Sequence, residues 1–316
     1  MKKFVVIGGM YRSGTTLAET IIGSHKDISI PPRDFLFFDY YERGKSLKSV
    51  YEKLEKRDIW RTWKEEIDSK TNGSGTESLD FSRFFNGTPD KAYSDTLAYY
   101  ADMVGKKIPG VKCPQNEFYY ETIREWLSDY ECKFIHLVRN PFDMVASYQH
   151  SAYYSDAAKR NPENVAVHAR NWCRSVSLGL ARAFYDPNAY YLIKYEDLAT
   201  HPESATKALC NFLEVDFDEK RMLNAEDYTY YGANTSFENQ SRIPSNEYVR
   251  VPKSRKGHLQ DQEKKVVGAI CGELAQAVGY EDEDLRGSKP ERFVSGNSGL
   301  RKTLAGITGR LRSLRA

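Results

Sequence analysis

A glycine-rich loop between a short apolar strand and a helix constrains this chain more than any other feature of its sequence. Residues Phe4 to Ile7 form a continuous apolar run, which is typical of a parallel strand covered on both faces. The segment from Gly8 to Gly14 then predicts a turn, and the apolar spacing from Thr15 to Ser24 predicts a helix. A strand, a glycine loop and a helix in this order form the first unit of an α/β fold.

The remainder of the chain alternates between strand and helix patterns, which predicts an α/β protein with a P-loop-type central parallel sheet flanked by helices. Further strands are predicted over 107–112, 134–138 and 190–195, and helices over 118–128 and 260–278 and after Pro141, Pro162 and Pro202. Residues 42–105 interrupt this alternation, because they are polar, aromatic and helix-leaning. We expect them to form a helical insertion over the active site, on the substrate side, within one domain spanning residues 1–284.

The glycine loop has the GxxxxG spacing of a phosphate-binding P-loop, from Gly9 to Gly14. Its backbone N–H groups and the following helix N-terminus are suited to hold an anion. Loops that hold ATP or GTP carry a lysine after the second glycine, but here that position is Thr15 and the cation is Arg12. The loop therefore favours a single terminal phosphate over hydrolysis of a magnesium nucleotide. A P-loop small-molecule kinase and a non-catalytic nucleotide-binding module remain alternatives.

The segment from Tyr11 to Leu17 resembles the first signature of the sulfotransferase family, a Pro-Arg/Lys-Ser-Gly-Thr-Thr loop, with Tyr11 in place of the proline. The resemblance implies that this loop binds the 5′-phosphosulfate of 3′-phosphoadenylyl sulfate (PAPS). The residues that the resemblance assigns to this contact are Arg12, Ser13, Gly14, Thr15 and Thr16.

A second element, from Phe134 to Ser147, resembles the strand–Arg–x–Pro–x–Asp–x–x–x–Ser signature of the same family, which binds the 3′-phosphate. Arg139 at a strand end offers a bidentate guanidinium, and Ser147 follows two helical turns later. The Tyr-Glu-Asp-Leu segment that begins at Tyr195 resembles a further nucleotide contact. A late basic loop resembles the one that closes over the 3′-phosphate, and its residues are Ser254, Arg255, Lys256 and Gly257.

A base is needed to deprotonate an acceptor hydroxyl. The segment from Arg33 to Asp39 resembles the Glu-x-His-Phe-Phe-Asp stretch of carbohydrate sulfotransferases, and this implies that Asp34 is the base. Asp39 or a histidine is the alternative. Lys112 resembles the lysine of a Lys-Thr-Pro element that approaches sulfate and acceptor. No histidine pair has metal-ligand spacing, so we expect no catalytic metal.

These patterns together predict an enzyme that transfers the sulfuryl group of PAPS to a hydroxyl acceptor, which can be a sugar, a glycolipid or a small molecule. The product of PAPS is then adenosine 3′,5′-bisphosphate (PAP). A net charge of +2 argues against a globally basic nucleic-acid binder. Five widely spaced cysteines without a CxxC pair fit a reducing, cytoplasmic compartment.

The C-terminal segment of the chain is more basic than the rest of it. Residues 285–316 contain eight basic residues and one acidic residue, and their first part predicts a linker. Leucine and isoleucine side chains from Leu300 to Leu314 follow helical spacing, which predicts a basic amphipathic helix. Peripheral contact with an anionic membrane is one hypothesis for this helix. Packing on its own domain or on a partner subunit is the other.

Overall fold

A five-stranded parallel sheet forms the centre of the molecule, as a computed structural model describes it over residues 1–41, 46–71, 81–150, 162–224 and 254–286. The strand order is β2-β3-β1-β4-β5, and every adjacent pair is parallel. The strands are β1 (Lys2–Gly9), β2 (Ile28–Ser29), β3 (Ile108–Lys112), β4 (Tyr130–Val138) and β5 (Tyr190–Lys194). The predicted fold class is confirmed. The two-residue edge strand β2 is too short to leave a pattern in the sequence.

Helices cover both faces of this sheet. They are α1 (Thr15–Gly23), α2 (Phe37–Tyr41), α3 (Leu47–Glu55), α4 (Ile59–Thr71), α5 (Pro89–Met103), α6 (Tyr120–Trp126), α7 (Pro141–Gln149), α8 (Pro162–Tyr185), α9 (Tyr195–Thr200), α10 (Pro202–Leu213), α11 (Glu219–Asn224), α12 (Asp261–Ala277) and α13 (Glu283–Arg286). Asn140 caps α7, since its side chain accepts hydrogen bonds from the N–H groups of Phe142 and Asp143. Proline at the first position of α7 agrees with the sequence prediction.

The alternation of side chains along β1 divides the core between the two faces of the sheet. Phe4 and Val6 belong to the apolar cluster that includes the insertion helices, whereas Val5 and Ile7 pack with α1 and α10. All four side chains are buried. A third apolar cluster joins α7, α8, α12 and α13. The continuous apolar run in the sequence therefore reflects a central strand covered on both sides.

The segment predicted as a helical insertion contains α3, α4 and α5 in its described part. Their aromatic side chains pack against Phe35, Phe37 and Phe38, the apolar residues that follow Asp34 in the chain. The ring of Phe35, for example, lies 5.6 Å from that of Trp63 in α4. The insertion thus supports the segment that carries the proposed base.

The linker and the predicted amphipathic tail, residues 287–316, lie outside the described residues. Leu285 in α13, at the predicted domain boundary, is buried in the cluster around α12. Among the described helices, none is both long enough and apolar enough to cross a membrane.

Candidate active site

The glycine loop leaves β1 at the carboxyl edge of the sheet and turns sharply into α1. Gly9 and Gly14 both have positive φ angles, of 133° and 90°, and Arg12 between them has φ 71°. A Cβ atom on Gly9 would lie 2.4 Å from the carbonyl oxygen of Leu137, and one on Gly14 would lie 2.2 Å from the ring of Tyr195. Both positions therefore require glycine. Gly14 is the N-cap of α1 and has no side chain to satisfy the first N–H groups, which leaves them for a ligand.

The two basic elements predicted from separate parts of the chain meet at this edge. The register of β1 and β4 places Gly9 beside Leu137, so that the loop and Arg139 emerge next to each other. Arg139 Nη1 donates a hydrogen bond to the carbonyl oxygen of Arg12, at 3.0 Å. Arg12 Nε in turn donates to Ser147 Oγ, also at 3.0 Å. The structure thus brings Arg12, Arg139 and Ser147 into one cluster.

The guanidinium of Arg139 is held in a fixed position although one of its donors is unused. It lies over the ring of Tyr195, 4.5 Å from the ring centroid, and Arg139 is only 7 % exposed. Among the described residues, its buried Nε has no hydrogen-bond partner. A guanidinium fixed in this way beside a phosphate-type loop is suited to an anionic ligand, which its Nη groups would contact.

The late basic loop joins this cluster through its backbone. One carboxylate oxygen of Asp143 accepts hydrogen bonds from Ser254 Oγ at 3.0 Å and from the backbone N–H groups of Arg255 and Lys256 at 2.6 and 3.1 Å. Burial, together with the nearby guanidinium of Arg139, lowers the pKa of Arg255. Two cations held this close repel each other, and an anion bound between them would relieve that repulsion.

Two predicted members of the late loop do not contribute side chains to the cluster. The ammonium group of Lys256 is paired with Asp282 and Asp284 and lies over the ring of Phe142. Gly257 follows in a short 3-10 helix, and a Cβ there would meet no atom within 4 Å. Within the described residues, Lys256 therefore reaches the cluster through its backbone.

Of the remaining predicted loop residues, Ser13 and Thr15 are buried and Thr16 is half-buried. The N–H of Ser13 donates to the carbonyl oxygen of Met10, which closes the turn. Thr15 and Thr16 form the first turn of α1, where backbone N–H groups point out of the helix end.

The predicted base and the predicted lysine are in direct contact. Lys112, at the end of β3, is 4 % exposed, and its ammonium forms ion pairs with Asp34 and, at 2.9 Å, with Glu19 of α1. Burial alone would lower the pKa of Lys112, but the two carboxylates outweigh it and raise that pKa well above the ordinary value. The two carboxylates therefore favour the protonated form of the lysine. The side chain of Asp34 is 35 % exposed, so it can be reached from solvent.

The histidines occupy other surroundings. His25 Nδ1 accepts from the N–H of Asp27, and its Nε2 bonds to the carbonyl oxygen of Asp216. His136 is fully buried, and burial lowers its pKa to about 3. Neither one is in contact with the Lys112 pair. Within the described part of the chain, no three potential ligands from His, Cys, Asp and Glu come together as a metal site.

Tyr11 stands where the family signature has proline, and it borders the same region. Its ring contacts that of Tyr148 edge to face, with centroids 6.4 Å apart. Burial, and then the nearby Cys113, Asp39 and Asp34, raise the pKa of Tyr11 well above its ordinary value. The neutral hydroxyl is therefore favoured at this position.

Sequence reasoning missed three carboxylates of this region, of which Glu19 and Glu117 are buried and Glu196 is half-buried. Glu19 pairs with Lys112, Glu117 accepts a hydrogen bond from the N–H of Gly9 at 2.8 Å, and Glu196 accepts one from the N–H of Asn140 at 2.9 Å. Glu196 also accepts from the hydroxyl of Tyr280. They were missed because acidic residues in such segments are ordinarily solvated. The only signal in the sequence was their closeness to the basic motifs.

The model of the sulfotransferase family matches residues 5–219 of this chain. The chain belongs to the sulfotransferase family. The prediction of a sulfotransferase from the sequence is thereby confirmed. No curated protein matches the chain in sequence.

One solved sulfotransferase structure shares the fold at low sequence identity, and two others are similar to the chain at lower TM-scores. The sulfotransferase domain from the curacin biosynthetic pathway is 18% identical with a TM-score of 0.57, over 89% of this chain and 99% of that one. The sulfotransferase domain of the Synechococcus PCC 7002 olefin synthase is 16% identical with a TM-score of 0.48, over 99% and 96% of the two chains. Mouse sulfotransferase SULT7A1, complexed with PAP, is 12% identical with a TM-score of 0.49, over 98% and 90%.

Proposed function

We propose that this sulfotransferase takes its sulfuryl group from PAPS and transfers it to a hydroxyl group of a sugar, a glycolipid or a small molecule. The observation that carries the proposal is the single cluster formed by the two basic elements. Arg139 donates to the carbonyl of Arg12, and Arg12 donates to Ser147. A nucleotide with phosphate groups at both ends of its ribose fits a site in which two such elements lie side by side.

The two ends of the donor would bind to different parts of this cluster. The loop from Arg12 to Thr16 and the first turn of α1 would hold the 5′-phosphosulfate, because helix N-termini bind phosphate oxygens. Arg139, Ser147 and the Ser254–Gly257 segment would hold the 3′-phosphate. Tyr195, which lies close to both Gly14 and the guanidinium of Arg139, would contact the nucleotide from the sheet edge.

The transfer step needs a base to accept the proton of the acceptor hydroxyl and a cation to stabilise the negative charge on the sulfuryl group. As the bond between sulfur and the acceptor oxygen forms, the bond between sulfur and the phosphate oxygen breaks, and the acceptor proton passes to the Asp34 carboxylate. Lys112 stays protonated and is held by Glu19 as well as by Asp34, so it can stabilise charge on the moving group. Arg12 would stabilise the departing phosphate. With these side chains in place, the proposed reaction uses no catalytic metal.

Release of PAP from PAPS, measured with a panel of phenols, alkyl glycosides and long-chain alcohols, tests the proposal. Asp34→Asn should bind PAP as tightly as the parent while its turnover falls by about 10²–10⁴-fold. Asp39→Asn is the matched control, since it removes a neighbouring carboxylate from the same segment, and it should keep most of the turnover. Equal turnover by Asp34→Asn and the parent would reject Asp34 as the base. PAP binding without PAPS consumption would indicate a binding module.

Contact of the basic tail with a membrane surface is part of the proposal. The leucine stripe and the basic residues of 300–316 are the sequence features that support it. In a sedimentation assay with anionic vesicles, the full chain should be found with the vesicles, whereas a form lacking residues 300–316 should stay in solution. Equal binding of both forms would discard this contact.

A further inference from the structure

Four buried side chains form a continuous hydrogen-bonded chain beneath the glycine loop. Glu117 Oε1 accepts from Ser175 Oγ at 2.7 Å, Ser175 Oγ bonds to His136 Nε2 at 3.0 Å, and His136 Nδ1 bonds to the hydroxyl of Tyr190 at 2.7 Å. Each of the four residues is at most 1 % exposed. The chain lies inside the fold and has no access for a substrate, so it does not take part in the chemistry directly.

The Glu117 end of this hydrogen-bonded chain is bonded to the glycine loop. The second carboxylate oxygen of Glu117 accepts a hydrogen bond from the N–H of Gly9 at 2.8 Å. Pairing between β3 and β1 ends at Lys112 opposite Ile7, before Gly9 is reached. Glu117 therefore replaces the neighbouring strand as the acceptor for the last N–H of β1. Gly9 is also where the backbone turns into the loop, with φ 133°.

Local structure explains how a carboxylate reaches this position. After β3, the chain turns through Gln115, which has φ 72°, into a short 3-10 helix over Asn116–Tyr119. This turn directs Glu117 back under β1. On the other side, α8 lies close enough for Ser175 to reach Glu117 because position 179 is glycine. A Cβ atom on Gly179 would lie 2.5 Å from Nδ1 of His136.

The donor and acceptor of every hydrogen bond between these four side chains follow from the protonation states of Glu117 and His136. Burial raises the pKa of Glu117, and the hydrogen bonds that it accepts from Ser175 and Gly9 oppose that shift. The ionised carboxylate only accepts, so in that form Ser175 gives its single proton to Glu117 and accepts from His136 Nε2. Burial lowers the pKa of His136 to about 3, so the ring is neutral and has one donor and one acceptor. Nδ1 is then the acceptor, and the hydroxyl of Tyr190 donates to it. With Glu117 ionised, all four groups are satisfied in one arrangement only.

A negative charge behind an anion-binding loop works against the binding of phosphate electrostatically, so its benefit must come from geometry. We propose that Glu117 is a positioning residue for the donor site: it fixes the N–H of Gly9, and through it the loop that carries Arg12, while His136 is held as its Nε2–H tautomer. This inference rests on the proposed function, because its effect is on the affinity for PAP.

Three variants separate positioning from general stability. Glu117→Met keeps the length of the side chain but removes both acceptors, and it should weaken PAP binding about tenfold. Glu117→Gln keeps an acceptor for Gly9 and should stay within about threefold of the parent. Lys106→Met is the matched control: it removes hydrogen bonds to the carbonyls of Gly23, His25 and Ile28 at the opposite end of α1, and it should lower stability without changing PAP affinity.

The tautomer of His136 provides a readout that does not depend on any ligand. Nitrogen NMR of histidine-labelled protein should show His136 protonated at Nε2 in the parent. In Glu117→Gln the amide donates to Ser175, so Ser175 must donate to His136, and the proton should move to Nδ1. This measurement remains decisive if Glu117→Met does not fold.

The outcomes are distinguishable. A parent protonated at Nδ1, or a folded Glu117→Met that binds PAP as the parent does, would overturn the inference. A tenfold loss in Glu117→Met with recovery in Glu117→Gln would support it. If the parent itself does not bind PAP, the proposed function fails, and the tautomer measurement still tests the hydrogen-bonded chain.

Discussion

The ring of Tyr195 contacts Arg139, whose guanidinium lies 4.5 Å from the ring centroid. The same ring is so close to the glycine loop that a Cβ atom at position 14 would lie 2.2 Å from Cδ2 of Tyr195. One aromatic side chain at the end of β5 therefore contacts both basic elements of the proposed donor site. This contact couples the position of the glycine loop to that of the arginine.

Gly14→Ala should therefore disturb the site more than an ordinary glycine substitution. The new methyl group clashes with Tyr195, and φ 90° is strained for alanine at a cost of about 1–3 kcal/mol. We expect PAP affinity to fall more than tenfold in a calorimetric titration. Gly87→Ala, where a Cβ would have one contact at 3.8 Å, is the control. Gly14→Ala should reduce PAP affinity less in a Tyr195→Ala background than in the parent, and an equal reduction in both backgrounds would show that the clash is irrelevant.

Arg139→Ala should weaken PAP binding by about 1.5–3 kcal/mol, because a charged hydrogen-bonding group is lost from a buried position. Arg12→Ala should have an effect of similar size. The control is Arg124→Ala, which removes a half-exposed arginine paired with Asp186. If Arg139→Ala and Arg124→Ala bind PAP equally well, Arg139 does not hold the 3′-phosphate.

Lys112→Met should destabilise the protein as well as inactivate it. The substitution takes the ammonium of Lys112 away from the buried Glu19, and loss of one partner of a buried pair costs about 3–5 kcal/mol. Adding Glu19→Gln removes the buried negative charge as well, so the double variant should recover part of the unfolding free energy in urea while remaining inactive. Equal stability of the single and double variants would contradict the role assigned to Glu19.

The stability of the fold should fall as the pH is lowered from about 6.5. Burial lowers the pKa of His136 to about 3 and that of His168 to about 4, below the ordinary value of about 6.5 in the unfolded chain. The unfolded state therefore takes up protons that the folded state does not, and stability is lost as pH falls toward these values. Each histidine contributes about 1.4 kcal/mol per pH unit between 6.5 and 4. Urea unfolding of His168→Phe should show a shallower pH dependence than the parent, whereas identical slopes would refute this assignment.

Local patterns were sufficient to predict the sheet and the basic motifs. Apolar runs, glycine spacing and proline at helix starts are properties of neighbouring residues, so β1, α1, β4 and α7 could be located from the sequence alone. Because the strands are parallel, their carboxyl ends share one edge of the sheet, and both arginines follow such strand ends. In the structure, Arg139 donates a hydrogen bond to the carbonyl oxygen of Arg12 at that edge.

Buried carboxylates could not be predicted in the same way. In the sequence, Glu19 and Glu117 look like solvated residues of a helix and a turn. Each is buried because of a distant partner. Glu19 pairs with Lys112, more than 90 positions away, and Glu117 accepts from Gly9, 108 positions away. The direction of the Lys256 side chain depends likewise on Asp282 and Asp284 in a later segment. Charge pairing inside a fold is a tertiary property that local spacing does not contain.

Calorimetric titration of the whole chain with PAP in the absence of metal, compared with ATP and Mg²⁺, tests the central claim most directly. The cluster of Arg12, Arg139 and Ser147, together with Thr15 in place of a P-loop lysine, predicts that PAP binds and that ATP with Mg²⁺ binds at least tenfold more weakly. Tighter binding of ATP with Mg²⁺ than of PAP would contradict the account and point to a kinase-type site.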